Sequence, residues 1–416
     1  MTSRARPDRR YIRAKYRSNR FVLVEIEAPE ARRRATREPL NVSFVLDRSG
    51  SMGGQKIDLA RQAIAQGIAA LHDEDRFSVV AYDDQVDVVV EATAATSAAR
   101  REALQRVKAI SARGSTNLFE GWLRGCEQVA GQLVERDVNR CLLLSDGLAN
   151  IGVTDPGELE KHALELRRRG VSTWTFGVGA DFDHALLERM AVAGGGQSVF
   201  IEHPQQIPDY VTSAVGEALD VVLRDVRVEV DLPDGTLCEP LGLFAHRSEG
   251  NRTVVEVQDL VSGQQLELVL RFNFPFGEIG QEQRAVIRVV DRDGLLSDAG
   301  SELAWTYADD RTNDLQERDV EVDRVVCGLF AARARQAAAQ LNQRGRFDDA
   351  RRELRGVADR IRTYASSDPV MLGVLRELEL EERQVAAPLA AMAVKEMHFR
   401  SSYTLRSRDF EGKAKR

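Results

Sequence analysis

No stretch of this 416-residue chain approaches the ~18 uninterrupted apolar residues needed to cross a bilayer, so no membrane span is expected. Residues 1–15 are basic but lack the apolar run of a secretory leader, and a cytoplasmic location is expected. Cysteine is scarce: Cys126, Cys141, Cys238 and Cys327 stand 15, 97 and 89 residues apart, which fits neither a zinc site nor a disulfide framework. They read as reduced, with Cys141 in the core of an apolar strand. His72, His162, His184, His203, His246 and His398 include no pair at metal-ligand spacing, and no nucleophile motif adjoins them. Net positive charge is missing from the body of the chain. Residues 1–20 are net +7 and residues 399–416 net +4, so the whole-chain −7 leaves −18 for residues 21–398. An acidic body argues against nucleic acid as a partner, and the basic ends read as solvated arms.

What remains, 43% hydrophobic and 30% charged residues, suits two or three folded domains at roughly 150 residues each. Between residues 40 and 201 apolar strands alternate with helical patterns, the mark of a sheet covered on both faces. Residues 40–46 read as a buried strand, and Ile57, Ala60, Ile64, Ile68 and Leu71 then recur at steps of three and four as one helix face. Residues 77–82 and 86–90 read as a hairpin, hence one antiparallel edge on a mainly parallel sheet. Helices near 97–110, 118–134, 156–169, 183–193 and 205–219, with strands at 141–144, 171–178 and 198–202, complete a doubly wound α/β pattern. From 221 to 307 the texture changes to the short alternating runs of a β-sandwich. Strand patterns at 11–16 and 21–26 precede the α/β stretch and are expected to complete that sandwich, which makes the α/β domain an insertion. After 314 the chain reads as helical, with a hairpin punctuated by Gly345 and further helix at 369–396. The expected divisions are N-terminal strands 1–36, an α/β domain 37–219, a β-sandwich 220–310, a helical region 311–398 and a basic tail 399–416.

The residues richest in chemistry are Asp47, Ser49 and Ser51, where the first α/β strand gives way to its helix. Ligand sites of open α/β sheets gather at the carboxyl ends of strands. Two further segments are expected on that rim: Gly114-Ser115-Thr116-Asn117 before a helix, and Asp146-Gly147 after a strand. All offer oxygen without sulfur or imidazole, which suits a hard cation such as Mg²⁺ or Mn²⁺. Asp47-Arg48-Ser49-Gly50-Ser51, the later Thr116 and Asp146-Gly147 together resemble the metal-ion-dependent adhesion site of von Willebrand factor type A domains, over roughly residues 40–215. The resemblance implies that Ser49, Ser51 and Thr116 ligate the ion through their hydroxyls, with Asp47 and Asp146 close by and often acting through water. It implies a non-enzymatic, protein-binding module whose ion takes an Asp or Glu of a partner protein as its last ligand. The wider arrangement resembles bacterial cytosolic members of the same superfamily, some of which work beside ATPases as chelatase-type subunits and others beside protein kinases or phosphatases. An accessory subunit of an ATPase-driven remodelling complex is thus the alternative reading, and a metal-dependent hydrolase a more distant one.

Other signals read as structural. Residues 50–56 lack the glycine, lysine and hydroxyl spacing of a phosphate loop, and Lys56 reads as a surface residue at a helix start. Asp83 with Asp84, and Asp181 with Asp183, read as exposed turn carboxylates rather than calcium ligands. Trp122, Trp174 and Trp305 read as core, and Arg32-Arg33-Arg34 as a solvated link.

Overall fold

Residues 2–31, 37–296 and 300–416 are described by a computed structural model. The Arg32-Arg33-Arg34 link lies outside them. The chain forms two compact units, one of Arg32–Val221 and the other of Met1–Ala31 with Val222–Arg416. It opens with β1 (Thr2–Pro7), β2 (Tyr11–Arg13) and β3 (Ser18–Glu27), all in the discontinuous unit.

The α/β unit runs β4 (Leu40–Asp47), α1 (Gln55–Ala70), β5 (Arg76–Tyr82), β6 (Val86–Ala94), α2 (Ser97–Lys108), α3 (Leu118–Ala130), β7 (Val138–Ser145), α4 (Pro156–Arg168), β8 (Ser172–Val178), α5 (His184–Ala193), β9 (Ser198–Ile201) and α6 (Ile207–Leu219). Its sheet has the order β6-β5-β4-β7-β8-β9, with β6 antiparallel and the other pairings parallel. Every residue of β4 and β7 is buried, as expected of central strands covered on both faces. Leu40, Val42, Phe44 and Leu46 point into a core shared with α1, α2 and α6. The opposite face carries Asn41, Ser43 and Val45, and there α3 lies unusually close. A Cβ on Gly125 would fall 2.1 Å from Val45 Cγ2, and one on Gly121 would fall 2.3 Å from the Tyr82 ring. The two glycines, one turn apart, let α3 settle onto the sheet.

Asp75 ties the start of this sheet together. Its carboxylate accepts from the Leu40 amide at 2.8 Å, the His72 amide at 2.7 Å and both Arg37 Nη atoms at 2.8 and 2.6 Å. Burial alone would push the group up, but the Arg37 guanidinium and those amides hold it below the usual aspartate range.

The second unit adds β10 (Val221–Asp231), β11 (Leu237–Pro240), β12 (Ala245–Glu249), β13 (Arg252–Val261), β14 (Gln265–Phe274), β15 (Glu282–Val290), β16 (Ser301–Ala308), α7 (Asp310–Leu315), α8 (Val320–Gln343), α9 (Phe347–Arg362), α10 (Pro369–Gln384) and α11 (Ala391–Leu405). One sheet has the order β1-β3-β14-β11 and the other β12-β13-β10-β15-β16-β2. Strands from before and after the α/β unit therefore share both sheets: β3 pairs with β14, and β2 with β16. Their inward side chains form one core, in which Trp305 lies 5.1 Å from Phe272 and 5.0 Å from Phe274, centroid to centroid. The outer face of the four-stranded sheet, with Leu23 and Val269, is covered by Val322, Val326 and Leu329 of α8. Helices α8, α9 and α10 enclose a separate small core. Among the described residues, no helix is long and apolar enough to cross a membrane.

Two details depart from expectation. The helix anticipated at 369–396 is two helices, α10 and α11, separated by the segment holding Pro388, whose missing N–H cannot continue the ladder. The ends are not solvated arms. Residues 2–7 are an edge strand, and the anticipated tail begins as the last turns of α11 and ends against β14. There Gln265 N donates to Lys415 O at 2.9 Å and Glu267 N to Ser407 Oγ at 2.9 Å. The reason is that β11 pairs only with 270–273, leaving the amides at the start of β14 in need of acceptors.

Two predictions follow from the α/β unit. Gly125→Ala gains up to ~1 kcal/mol of helix propensity but forces a methyl into a rigid valine, so a net loss of about 1–3 kcal/mol is expected in urea denaturation. Asp75→Asn should cost about 3 kcal/mol, the low end for breaking a buried pair, because Arg37 keeps some water contact. A depressed folded-state pKa contributes stability above the unfolded value near 4 that is lost on acidification. The gap between wild type and Asp75→Asn should therefore be flat from pH 8 to about 5 and narrow below about 4.

Candidate functional site

The order β6-β5-β4-β7-β8-β9 reverses direction between β4 and β7, because β4 is followed in sequence by β5 on one side and paired with β7 on the other. The crevice outside the carboxyl ends of those two strands is where such sheets bind ligands. Asp47 ends β4 and Ser145-Asp146 ends β7, so both carboxylates arrive there.

Asp47 is fully buried. Its Oδ1 accepts from the Ser49 amide at 2.8 Å and its Oδ2 from Ser145 Oγ at 2.6 Å. Burial pushes this carboxyl up to about 6; the Asp146 charge adds to that, while Ser145 and Ser49 oppose it. Ser49 Oγ lies 3.1 Å from Ser51 Oγ, and Ser51 Oγ donates to Asp146 Oδ1 at 2.7 Å. Thr116 comes to the same place: a Cβ built on Gly147 would lie 3.4 Å from Thr116 Oγ1, 3.7 Å from Ser51 Oγ and 4.0 Å from Asp47 Oδ2. The lack of a side chain at Gly147 thus leaves a small space bordered by oxygens from the other two loops. Asp47, Ser49, Thr116 and Asp146 are buried while Ser51 is exposed, so the cluster opens to solvent at Ser51.

Backbone hydrogen bonds join the three loops. Gly50 N donates to Gly114 O at 3.1 Å, Arg113 N to Arg48 O at 2.7 Å, and the Asn150 and Ile151 amides to Thr116 O at 3.2 Å each. Gly114 has φ +65°, and a Cβ there would meet Asp84 Oδ1 at 2.0 Å, so glycine alone allows this crossing. Asn117 caps α3 by accepting from Glu120 N, which places Thr116 at the head of that helix.

The structure brings all five sequence-predicted residues together and adds others. Asp83, expected as an exposed turn carboxylate, is buried. It accepts from Arg48 Nε at 3.0 Å, Arg113 Nε at 2.6 Å and the Gln85 amide at 2.7 Å. Burial would push it up, yet Arg113, the Gln85 amide and Arg48 hold it below the usual range. It turns inward because the buried Arg48, fixed between Asp47 and Ser49, needs a counter-charge. Lys56 was expected on the surface, but its Nζ contacts Asp146 Oδ2 and lies 3.3 Å from Ser51 O. Asp183 caps α5 instead of standing free, accepting from Leu186 N at 3.0 Å. Ser145 was missed altogether. Its position on a fully buried strand masks the polar role, and only its place next to Asp146-Gly147 hinted at it.

Among the described residues no three His, Cys, Asp or Glu side chains form a metal-holding group. Three of the five donors here are hydroxyls, with only two carboxylates, and that is a chemistry for a hard, oxygen-preferring cation rather than for zinc.

The fold and rim describe an open α/β module whose oxygen-rich cluster lies at the switch point of the sheet. Residues 41–212 match the von Willebrand factor type A domain, and the chain contains such a domain. It is 25% identical over 274 residues to the uncharacterized protein YfbK of Escherichia coli K12, covering 64% of this chain and 47% of that one. Against inter-alpha-trypsin inhibitor heavy chain H4 of Sus scrofa it is 33% identical over 168 residues, 38% of this chain and 18% of the other. The chain thus spans less than half the length of these relatives. Among solved structures, a von Willebrand factor type A protein from Catenulispora acidiphila superimposes with a TM-score of 0.70 at 19% identity, covering 95% of this chain and 88% of that one. VWA2 of Sulfolobus acidocaldarius, an ArnB paralog, gives 0.58 at 16% identity, with 93% and 99% covered. Both share the fold.

The Arg48–Asp83 pair gives a prediction for the framework of the rim. Asp83→Ala, which leaves the buried Arg48 guanidinium only the half-exposed Asp87 as counter-charge, should cost about 3 kcal/mol in urea denaturation. The paired replacement Arg48→Met with Asp83→Leu should recover at least about half of that, because no buried charge is left alone.

Proposed function

We propose that the rim binds Mg²⁺, or Mn²⁺ in its place, and that the domain uses it to capture an acidic residue of a partner protein. Ser49, Ser51 and Thr116 would hold the ion by their hydroxyls, with Asp47 and Asp146 behind them. The observation that carries the reading is the convergence of Thr116 Oγ1, Ser51 Oγ and Asp47 Oδ2 around the space beside Gly147. Mg²⁺ favours six oxygens in octahedral array, and a set dominated by neutral hydroxyls leaves it electron-poor enough to accept a carboxylate from another molecule. Von Willebrand factor type A domains commonly mediate protein–protein interaction, which agrees with this use of the site.

Binding is favoured over hydrolysis by how the carboxylates are engaged. Both oxygens of Asp47 accept hydrogen bonds, from Ser49 and Ser145, and both of Asp146 are held, by Ser51 and Lys56. Each of these oxygens keeps one further lone pair, and a carboxylate that spends it neutralising an ion is poorly placed to take a proton from water as well. Here the carboxylates are occupied in holding serines in place. Leu148 and Ile151, half exposed on the loop after Asp146, supply apolar surface beside the opening.

The test is capture from a native cell extract with Mg²⁺, with EDTA and with the Asp47→Ala variant, alongside Mn²⁺ titration of both proteins. The proposal expects one or more proteins retained only by wild type with Mg²⁺, and Mn²⁺ affinity reduced roughly 10–100-fold by Asp47→Ala. Equal recovery in all three arms, or unchanged Mn²⁺ affinity in the variant, overturns it.

A further inference from the structure

We propose that Lys56 is a built-in counter-charge of the rim, which lowers its affinity for a divalent cation and reserves more of that cation's charge for an incoming carboxylate. This rests on the metal reading of the site.

Lys56 is the second residue of α1, and the loop from Ser49 to Gly54 returns the chain so that its side chain reaches back over the rim. Its Nζ contacts Asp146 Oδ2 and lies 3.3 Å from the carbonyl of Ser51. The Lys56 side chain is 26% exposed while Asp146 is fully buried, so the contact is only partly screened by water. The two carboxylates are thereby made unequal. Asp47 is held by uncharged donors, the Ser49 amide and the Ser145 hydroxyl. Asp146 shares its charge with an ammonium and offers Oδ1 to Ser51 Oγ at 2.7 Å.

The consequence is electrostatic. Two carboxylates against one ammonium leave a single net negative charge, so a dication held here is only half neutralised. Without Lys56 the two carboxylates match the dication in full, which favours the ion and weakens the pull on a further carboxylate. A residue that only oriented Asp146 would have the opposite effect, since its loss would weaken ion binding. The two roles therefore differ in sign.

The measurement is Mn²⁺ binding, read from the electron paramagnetic resonance of the free aqua ion, for full-length wild type, Lys56→Met, Lys56→Gln and Lys56→Arg. Acetate is then titrated into the Mn²⁺-loaded proteins as a carboxylate probe. Both uncharged variants should bind Mn²⁺ about tenfold more tightly than wild type, as expected for removing one nearby like charge. Lys56→Arg should stay close to wild type, and acetate should bind less well to the uncharged variants. Equal or weaker Mn²⁺ binding by Lys56→Met and Lys56→Gln, or equal acetate affinity throughout, overturns the inference while leaving the metal reading standing. A wild type that does not bind Mn²⁺ overturns both.

Discussion

Asp47 sits at the end of a strand with no exposed residue, and its two oxygens accept from the Ser49 amide and the Ser145 hydroxyl. A carboxylate taken this far from water must be satisfied by the protein around it. The Ser49 amide can reach it only if the chain turns sharply after β4, and that turn aims Ser49 and Ser51 at the rim. The Ser145 hydroxyl can reach it only if β7 lies beside β4 in the observed register, with Leu46 opposite Leu144. That register in turn delivers Asp146. One buried group therefore commits two strands and two loops to a single arrangement. Its weakened acidity is a sign that the burial has a cost.

Thr116 is brought in by different means. Its loop is hung between the other two by backbone hydrogen bonds and by the Arg113–Asp83–Arg48 ion pairs, and it is seated at the head of α3. Helix α3 can approach because Gly121 and Gly125 remove the side chains that would otherwise stand between it and Tyr82 and Val45. A buried pair such as Arg48–Asp83 is weak support for stability as such, since an apolar pair would pack as well. Its directional hydrogen bonds nonetheless hold two loops at one distance, which packing alone does less well.

Much of this was legible in the sequence because the signals are local. Apolar periodicities marked the strands and helices of the α/β unit, turn residues at strand ends marked Asp47, Ser49, Ser51 and Asp146, and the polar loop before a helix marked Thr116. The features that were not legible depend on partners distant in sequence. Lys56 stands 90 residues from Asp146 and Asp83 stands 35 from Arg48, so neither pairing leaves a trace in spacing. Strand β12 has no buried residue and so no alternation to read. The basic tail carries the composition of a solvated segment, and what orders it is the open edge of β14, a property of another part of the chain.

The path of the chain through the α/β unit keeps both of the unit's ends away from the rim. Helix α1 leaves the rim after β4 and runs toward the opposite end of the sheet. Helix α6 starts beside it, with Gln205 reaching Gln55, and runs the same way, with Thr212 reaching Gln66. The chain therefore enters at Leu40, the amino end of β4, and leaves after Leu219 at that same end. Leu40 and Leu219 thus both lie at the end of the sheet opposite the loops that carry Ser51, Thr116 and Gly147. The position of the rim therefore follows from the topology of the sheet before any side chain is considered. What the side chains add is the distribution of charge along it: hydroxyls at the opening, one carboxylate held by neutral donors, and one held by an ammonium.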